Sequence, residues 1–138
     1  MKIIQVVGRS NSGKTTFIKL LIPKLKKLGR VAVIKHLGDH KFVLEKGKDT
    51  TGFFDAGADI TVGIDADKSV VAIRNNSLES NLQLLFDQGI NFTVIEGFKQ
   101  KAFPRIVIGD LETDHCVLRN PSPDEVLVTL NAFENYCP

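Results

Sequence analysis

The stretch Gly8-Arg9-Ser10-Asn11-Ser12-Gly13-Lys14-Thr15, followed by Thr16, fits the pattern G-x-x-x-x-G-K-[ST]. Its surroundings decide the fold. Immediately before it, Lys2 to Val7 is a short, largely apolar run with Ile3, Ile4, Val6 and Val7, as expected of a strand buried on both faces of a parallel sheet. Immediately after it, Phe17, Ile18, Leu21, Ile22, Leu25 and Leu28 recur at helical spacing, and Gly29 supplies a stop for a helix from about Lys14 to Leu28. Pro23 lies inside that helix, where it removes a backbone donor and crowds the carbonyl of Lys19. A strand, a glycine-bounded loop and a helix in this order predict a phosphate cradle. The glycines let successive amides turn into one concavity, and the helix adds its unpaired N-terminal amides and positive dipole end. Lys14 supplies a point charge for the β- and γ-phosphates, and the Thr15 hydroxyl is placed to ligate Mg2+.

Outward from the loop, strands alternate with helices. Val31 to Ile34 reads as a second buried strand ending at Lys35-His36, and Leu37 to Lys48 as an exposed loop. Asp49 is placed to cap a short helix through Ala56, ended by Gly57. Asp59 to Ile64 and Ser69 to Arg74 read as strands joined by a turn at Asp65-Ala66-Asp67-Lys68. Ser77 opens a helix carrying Leu78, Leu82, Leu85 and Phe86, with Gly89 as its stop. Asn91 to Ile95, Arg105 to Ile108 and, more weakly, His115 to Leu118 are further strands, and Ser122-Pro123-Asp124-Glu125 opens a last helix with a capping box. The predicted architecture is one α/β domain over residues 1–138: a P-loop NTPase-like three-layer sandwich with a mainly parallel sheet. The strands near Ile60 to Ile73 offer an antiparallel extension, one that could continue across a two-fold axis.

Composition bounds the partners. The chain is 43% apolar and 25% charged, with a formal net charge of +2, so its cations are interleaved with acids and nucleic acid is not expected. No apolar run approaches the roughly 20 residues that span a bilayer. The N-terminus enters a strand at once, so no membrane association and a cytoplasmic location are expected. Cys116 and Cys137 fit no metal spacing, and one of them is expected to be half buried while the other lies in a frayed C-terminus.

A second acidic group is expected at the end of another core strand, to hold the magnesium shell or orient water. Glu96 fits, because Phe92 to Ile95 reads as buried strand and ligand sites in open α/β sheets lie beyond the carboxyl ends of strands. Asp39 and Asp49 could reach the same edge, although Asp49 serves equally as a helix cap, and His36 reads equally as a structural or a site residue.

Several blocks together are more specific than the loop alone: Ile22-Pro23, Val33-Ile34-Lys35-His36, Gly47-Lys48-Asp49, Ala56-Gly57-Ala58 and Ile95-Glu96-Gly97-Phe98-Lys99. From the N-terminus to about Ile108 this set resembles the MobB family of molybdopterin guanine dinucleotide biosynthesis adaptors. The resemblance implies a homodimeric GTP-binding protein with weak hydrolysis that assists the molybdopterin guanylyltransferase, with a molybdopterin contact among the expectations. By matching position it implies that Gly8, Arg9, Ser10, Asn11, Ser12, Gly13, Lys14, Thr15 and Thr16 bind phosphates, that Thr15 and Glu96 serve Mg2+, and that His36 and Asp49 line the site. Lys14 and Glu96 would then carry what catalysis there is. The sequence departs from the family after His36, where only Asp39 and His40 remain of a stretch commonly rich in histidine and acidic residues. It departs again at Gly52-Phe53-Phe54-Asp55, where basic residues are frequent. The Asn-Lys-x-Asp element that reads guanine in many GTPases is absent, so ATP stands beside GTP as the nucleotide. A small P-loop kinase is the alternative function. It usually needs an arginine-rich lid, and the five arginines (Arg9, Arg30, Arg74, Arg105 and Arg119) are scattered.

Overall fold

The computed structural model describes all residues from Met1 to Pro138. They form two compact units, Met1–Leu37 with Leu82–Pro138, and Gly38–Asn81. In the larger unit, β1 (Lys2–Gly8), α1 (Lys14–Lys26) and β2 (Val31–Lys35) are followed, after the smaller unit, by the end of α3 (Leu78–Asp87), then β5 (Phe92–Glu96), β6 (Arg105–Ile108), β7 (Cys116–Arg119), α4 (Pro123–Val128), a 3-10 turn (Leu130–Ala132) and β8 (Glu134–Asn135). The smaller unit holds α2 (Asp49–Asp55), β3 (Ile60–Ile64) and β4 (Ser69–Ile73).

The main sheet has the order β2-β5-β1-β6-β7, all parallel, with β1 at its centre. The burial of the strands agrees with this order. β1, β5 and β6 are the three strands whose residues are buried throughout, apart from Lys2, and such runs need neighbours on both faces. One face of the sheet presents Ile4, Val6, Phe92, Val94, Ile106 and Ile108 to Phe17, Ile18, Leu21 and Leu25 of α1 and to Val126 of α4. The other face carries Ile3, Val7, Ile95 and Val107, all fully buried. The capping box opening α4 is formed as the sequence predicts: the Glu125 amide donates to Ser122 Oγ, and the Ser122 amide donates to the Glu125 carboxylate.

Several expectations are corrected. β2 is an edge strand with alternating exposure, not a strand buried on both faces, because only β5 flanks it. α1 ends at Lys26, so Leu28 falls beyond it and is exposed. The C-terminus is not frayed throughout. Phe133 is buried in the main core, and β8 pairs antiparallel with Lys2 and Ile3 of β1. Both cysteines are free and exposed, including Cys116 on the edge strand β7. No helix is long and apolar enough to cross a membrane.

In the smaller unit, β3 and β4 form a separate two-stranded antiparallel sheet. Its turn is fixed by Asp65, whose carboxylate accepts from the amides of Asp67 and Lys68 and from Lys68 Nζ. Those bonds hold the Asp65 carboxyl below its ordinary pKa, the Lys68 side chain contributing most. Arg74 stacks over the Phe54 ring and donates to the Phe54 and Ala58 carbonyls, tying the hairpin to α2.

Candidate functional site

The phosphate loop leaves β1 at Gly8 and enters α1 at Lys14. Gly8 is required by space: a Cβ there would lie 2.5 Å from the Ile108 carbonyl oxygen and 2.6 Å from Ser12 Oγ. Gly13 is required by conformation, since it caps α1 with φ +99° and without a side-chain bond, so the first amides of the helix remain open. Asn11 also takes a left-handed conformation, with φ +60°. The Ser12 amide donates to the Arg9 carbonyl, closing the loop, and the buried Ser12 hydroxyl has no partner. Lys14 folds back over this loop: its Nζ donates to the carbonyls of Gly8 and Arg9, each at 2.9 Å. Burial lowers the Lys14 pKa; Glu96 opposes the shift, and Lys99 and Lys35 add to it.

Glu96 is the last residue of β5, opposite Val6 on one side and Lys35 on the other. Its carboxylate is largely buried and lies 3.5 Å from Lys35 Nζ. His36 follows Lys35, donates its amide to the Glu96 carbonyl, and stacks on Phe98 with ring centroids 4.1 Å apart. The strand order thus brings Gly8 to Thr16, Glu96 and His36 to one end of the sheet. Thr15 and Thr16 lie exposed in the first turn of α1. Asp49 belongs to the smaller unit. It is the first residue of α2 and not its cap, because Lys48 holds the capping position with extended backbone and no side-chain bond. Asp49 there contributes a first-turn charge that complements the helix dipole.

Residues that the motifs did not single out complete the arrangement. Gln5, fully buried in the middle of β1, donates through Nε2 to the carbonyls of Gly97 and Phe98 at 2.8 and 2.7 Å. Its cross-strand neighbour Arg105 donates to the carbonyls of Lys99, Lys101 and Phe103 and to the Thr113 hydroxyl. Burial pulls the Arg105 pKa down and Asp114 opposes this, but a guanidinium stays charged at neutral pH. These two side chains clamp the segment after Glu96, in which Gly97 takes φ +92° and Phe98 φ +53°. The available signal was the pair of polar residues at the middle of β1 and the start of β6, each interrupting or flanking an apolar run.

On the other side of the loop lies a cleft of about 660 Å³ between Arg9, Ser10 and Ser12 and the Gly109, Asp110 and Asn120 region. Arg9 Nε is 3.1 Å from Asp110 Oδ1 across it. No cluster of three or more His, Cys, Asp or Glu side chains could hold a metal ion. The Thr15 hydroxyl and Glu96 carboxylate are hard oxygen donors that suit Mg2+, which takes the rest of its shell from phosphates and water.

The parallel sheet with a Lys14-bearing loop between its central strand and α1 defines a P-loop α/β protein. Residues 3–130 match the family described as MobB, molybdopterin guanine dinucleotide synthesis protein B, and the chain belongs to that family. It is 38% identical over 128 residues to a putative molybdopterin-guanine dinucleotide biosynthesis adapter protein of Methanocaldococcus jannaschii, covering 86% of this chain and 54% of the relative. It is 38% identical over 110 residues to a probable adapter protein of Bacillus subtilis, covering 77% and 64%. The chain therefore spans between half and two thirds of the length of these two curated relatives. A Haemophilus influenzae adapter protein is 31% identical over 138 residues, covering 97% of this chain and 75% of the relative. Among solved structures, the crystal structure of Bacillus subtilis MobB superposes with a TM-score of 0.74 at 27% identity, covering 99% of this chain and all of that one.

Proposed function

We propose that this chain is a magnesium-dependent GTP-binding adapter of molybdopterin guanine dinucleotide biosynthesis, working beside a molybdopterin guanylyltransferase and hydrolysing GTP slowly. One observation carries the nucleotide reading: Lys14 Nζ is held over the loop by the Gly8 and Arg9 carbonyls. A lysine so placed can exchange those carbonyls for phosphate oxygens without moving its backbone. The open amides at the start of α1 and the unpartnered Ser12 hydroxyl offer further donors to the same anion. Thr15 and Glu96 would hold Mg2+, which neutralises phosphate charge, and His36 would flank them. Slow hydrolysis follows from commitments elsewhere. The Gln5 amide is spent on the Gly97 and Phe98 carbonyls and so does not orient water. The adapter role rests on the family and on the names of its relatives, and the homodimer on the exposed apolar hairpin β3–β4.

Calorimetry with Mg·GTP tests the nucleotide reading. The wild type is expected to bind and Lys14→Ala to lose tight binding while keeping its thermal transition; equal affinity for the two would overturn it. Single-turnover hydrolysis is expected below about 1 per second. Adding the chain to a guanylyltransferase assay is expected to speed formation of the dinucleotide, and no effect at saturating chain would remove the adapter role.

A further inference from the structure

We propose that the cleft between the phosphate loop and the β6–β7 connection is a purine pocket in which Asp110 reads the Watson–Crick edge of guanine and Arg9 stacks on the ring. The inference rests on the nucleotide reading above and adds to it the base choice that no sequence motif supplies.

The cleft is in the right place and open to solvent. Its loop-side wall is Arg9, Ser10 and Ser12, part of the phosphate loop itself, so a ligand gripped there through phosphates has its remaining bulk beside this wall. Its volume of about 660 Å³ is that of an open, solvent-facing cleft and not of an enclosed cavity. The far wall lies beyond the carboxyl end of β6, where open α/β sheets place their ligands.

The backbone around Asp110 is fixed while its carboxylate is not. Gly109 turns with φ +91° and donates its amide to Asn120 Oδ1 at 2.7 Å. Arg119 donates to the Gly109 carbonyl at 2.9 Å and to the Leu111 carbonyl at 3.0 Å. The residues on both sides of Asp110 are thus braced by the end of β7, yet the Asp110 side chain is 89% exposed and Arg9, its partner, 65% exposed. An exposed pair of this kind is weak and contributes little to folding. A braced backbone presenting a solvent-facing acceptor is a pre-organised recognition element.

The chemistry selects one base. An ionised carboxylate only accepts hydrogen bonds. Guanine presents two adjacent donors, N1–H and the 2-amino group, which match its two oxygens. Adenine presents the N1 lone pair at that position, which a carboxylate repels. Binding would draw Asp110 Oδ1 away from Arg9 Nε, and the freed planar guanidinium is suited to lie over the purine face.

Titrations of the full chain with Mg2+ and GTP, ITP, XTP, ATP or inorganic triphosphate test this, for the wild type and Asp110→Asn. The wild type is expected to prefer GTP over ATP by about tenfold or more, with ITP, which lacks the 2-amino group, between them. Asp110→Asn is expected to lose that preference and gain affinity for XTP, whose 2-carbonyl suits a carboxamide donor. Its affinity for inorganic triphosphate, which has no base, should stay within about twofold and also reports that the variant is folded. A GTP-to-ATP ratio that Asp110→Asn leaves unchanged overturns this proposal alone. A wild type that binds neither inorganic triphosphate nor any nucleotide overturns the phosphate reading together with it.

Discussion

Lys14 is asked to be in two environments. Its ammonium must wait where a triphosphate would arrive, and while waiting it is partly desolvated and lies near the cations Lys35 and Lys99. The nearby Glu96 carboxylate offsets this only in part, so its pKa in the folded chain falls below the ordinary 10.5. The sign of the consequence is fixed by linkage. Between the lowered folded value and 10.5, the unfolded chain binds more protons at this site than the folded chain, so stability gains with rising pH. Lys14→Met has no such site. Chemical denaturation across that window should show the wild type gaining stability relative to Lys14→Met as pH rises, and parallel curves would mean that Lys14 is relaxed. The loop was legible in the sequence because every requirement in it is local: spacing, two glycines and a lysine within one turn. Asp110 was not, since its role depends on Arg9, 101 positions away in sequence, and on braces from Arg119 and Asn120.

Among the elements, the clamp on the segment after Glu96 shows what two polar side chains inside a sheet can do. A buried Gln on a central strand is unfavourable unless its amide is bonded. Here Nε2 donates to the Gly97 and Phe98 carbonyls, the second of which also accepts from the Lys101 amide, while Oε1 has no partner. Those carbonyls belong to Gly97 and Phe98, both in left-handed backbone, so the bonds set the direction in which the chain leaves Glu96. Gln5→Leu should lower stability by about 1 kcal/mol, because the Gly97 carbonyl loses its donor while the Phe98 carbonyl keeps the Lys101 amide. It should also weaken GTP binding in Mg2+ more than GTP binding in EDTA, since Glu96 loses its anchored neighbour. The same loss of affinity in both buffers would reduce Gln5 to a packing role. Hydrophobic patterning reads Lys2 to Val7 correctly as a strand but has no way to assign its single glutamine a partner more than ninety residues away. The same limit explains β8: a two-residue strand has no period of its own, and it forms because Phe133 is buried in the core and brings Glu134 and Asn135 alongside β1.

For the whole molecule, element types were legible and neighbours were not. Each helix of the larger unit announces itself through its own spacing, caps or stops, whereas β2 reads like β5 in sequence and becomes an edge only through the strand order. The hairpin of the smaller unit carries the corresponding whole-molecule question. β3 and β4 are regular and fully paired with each other, yet Ile60, Val62, Ile64, Val70 and Val71 are all exposed, Ile64 to 80% and Val70 to 65%. Ile60, Val62 and Ile64 alternate along β3 and share a face with Val71, the partner of Val62, so one face of the hairpin is apolar and open. Each hairpin also keeps unpaired edge groups. A second copy of the same hairpin would pair those edges and cover the apolar residues through a self-complementary two-fold contact. Light scattering at micromolar concentration should therefore give twice the chain mass, and Val62→Lys with Ile64→Asp should return the chain mass. Because these residues lie outside the phosphate loop, the double variant should keep its affinity for inorganic triphosphate, which separates loss of the dimer from loss of the fold. A wild type that scatters as a single chain under those conditions would leave the hairpin's apolar residues without a role in self-association.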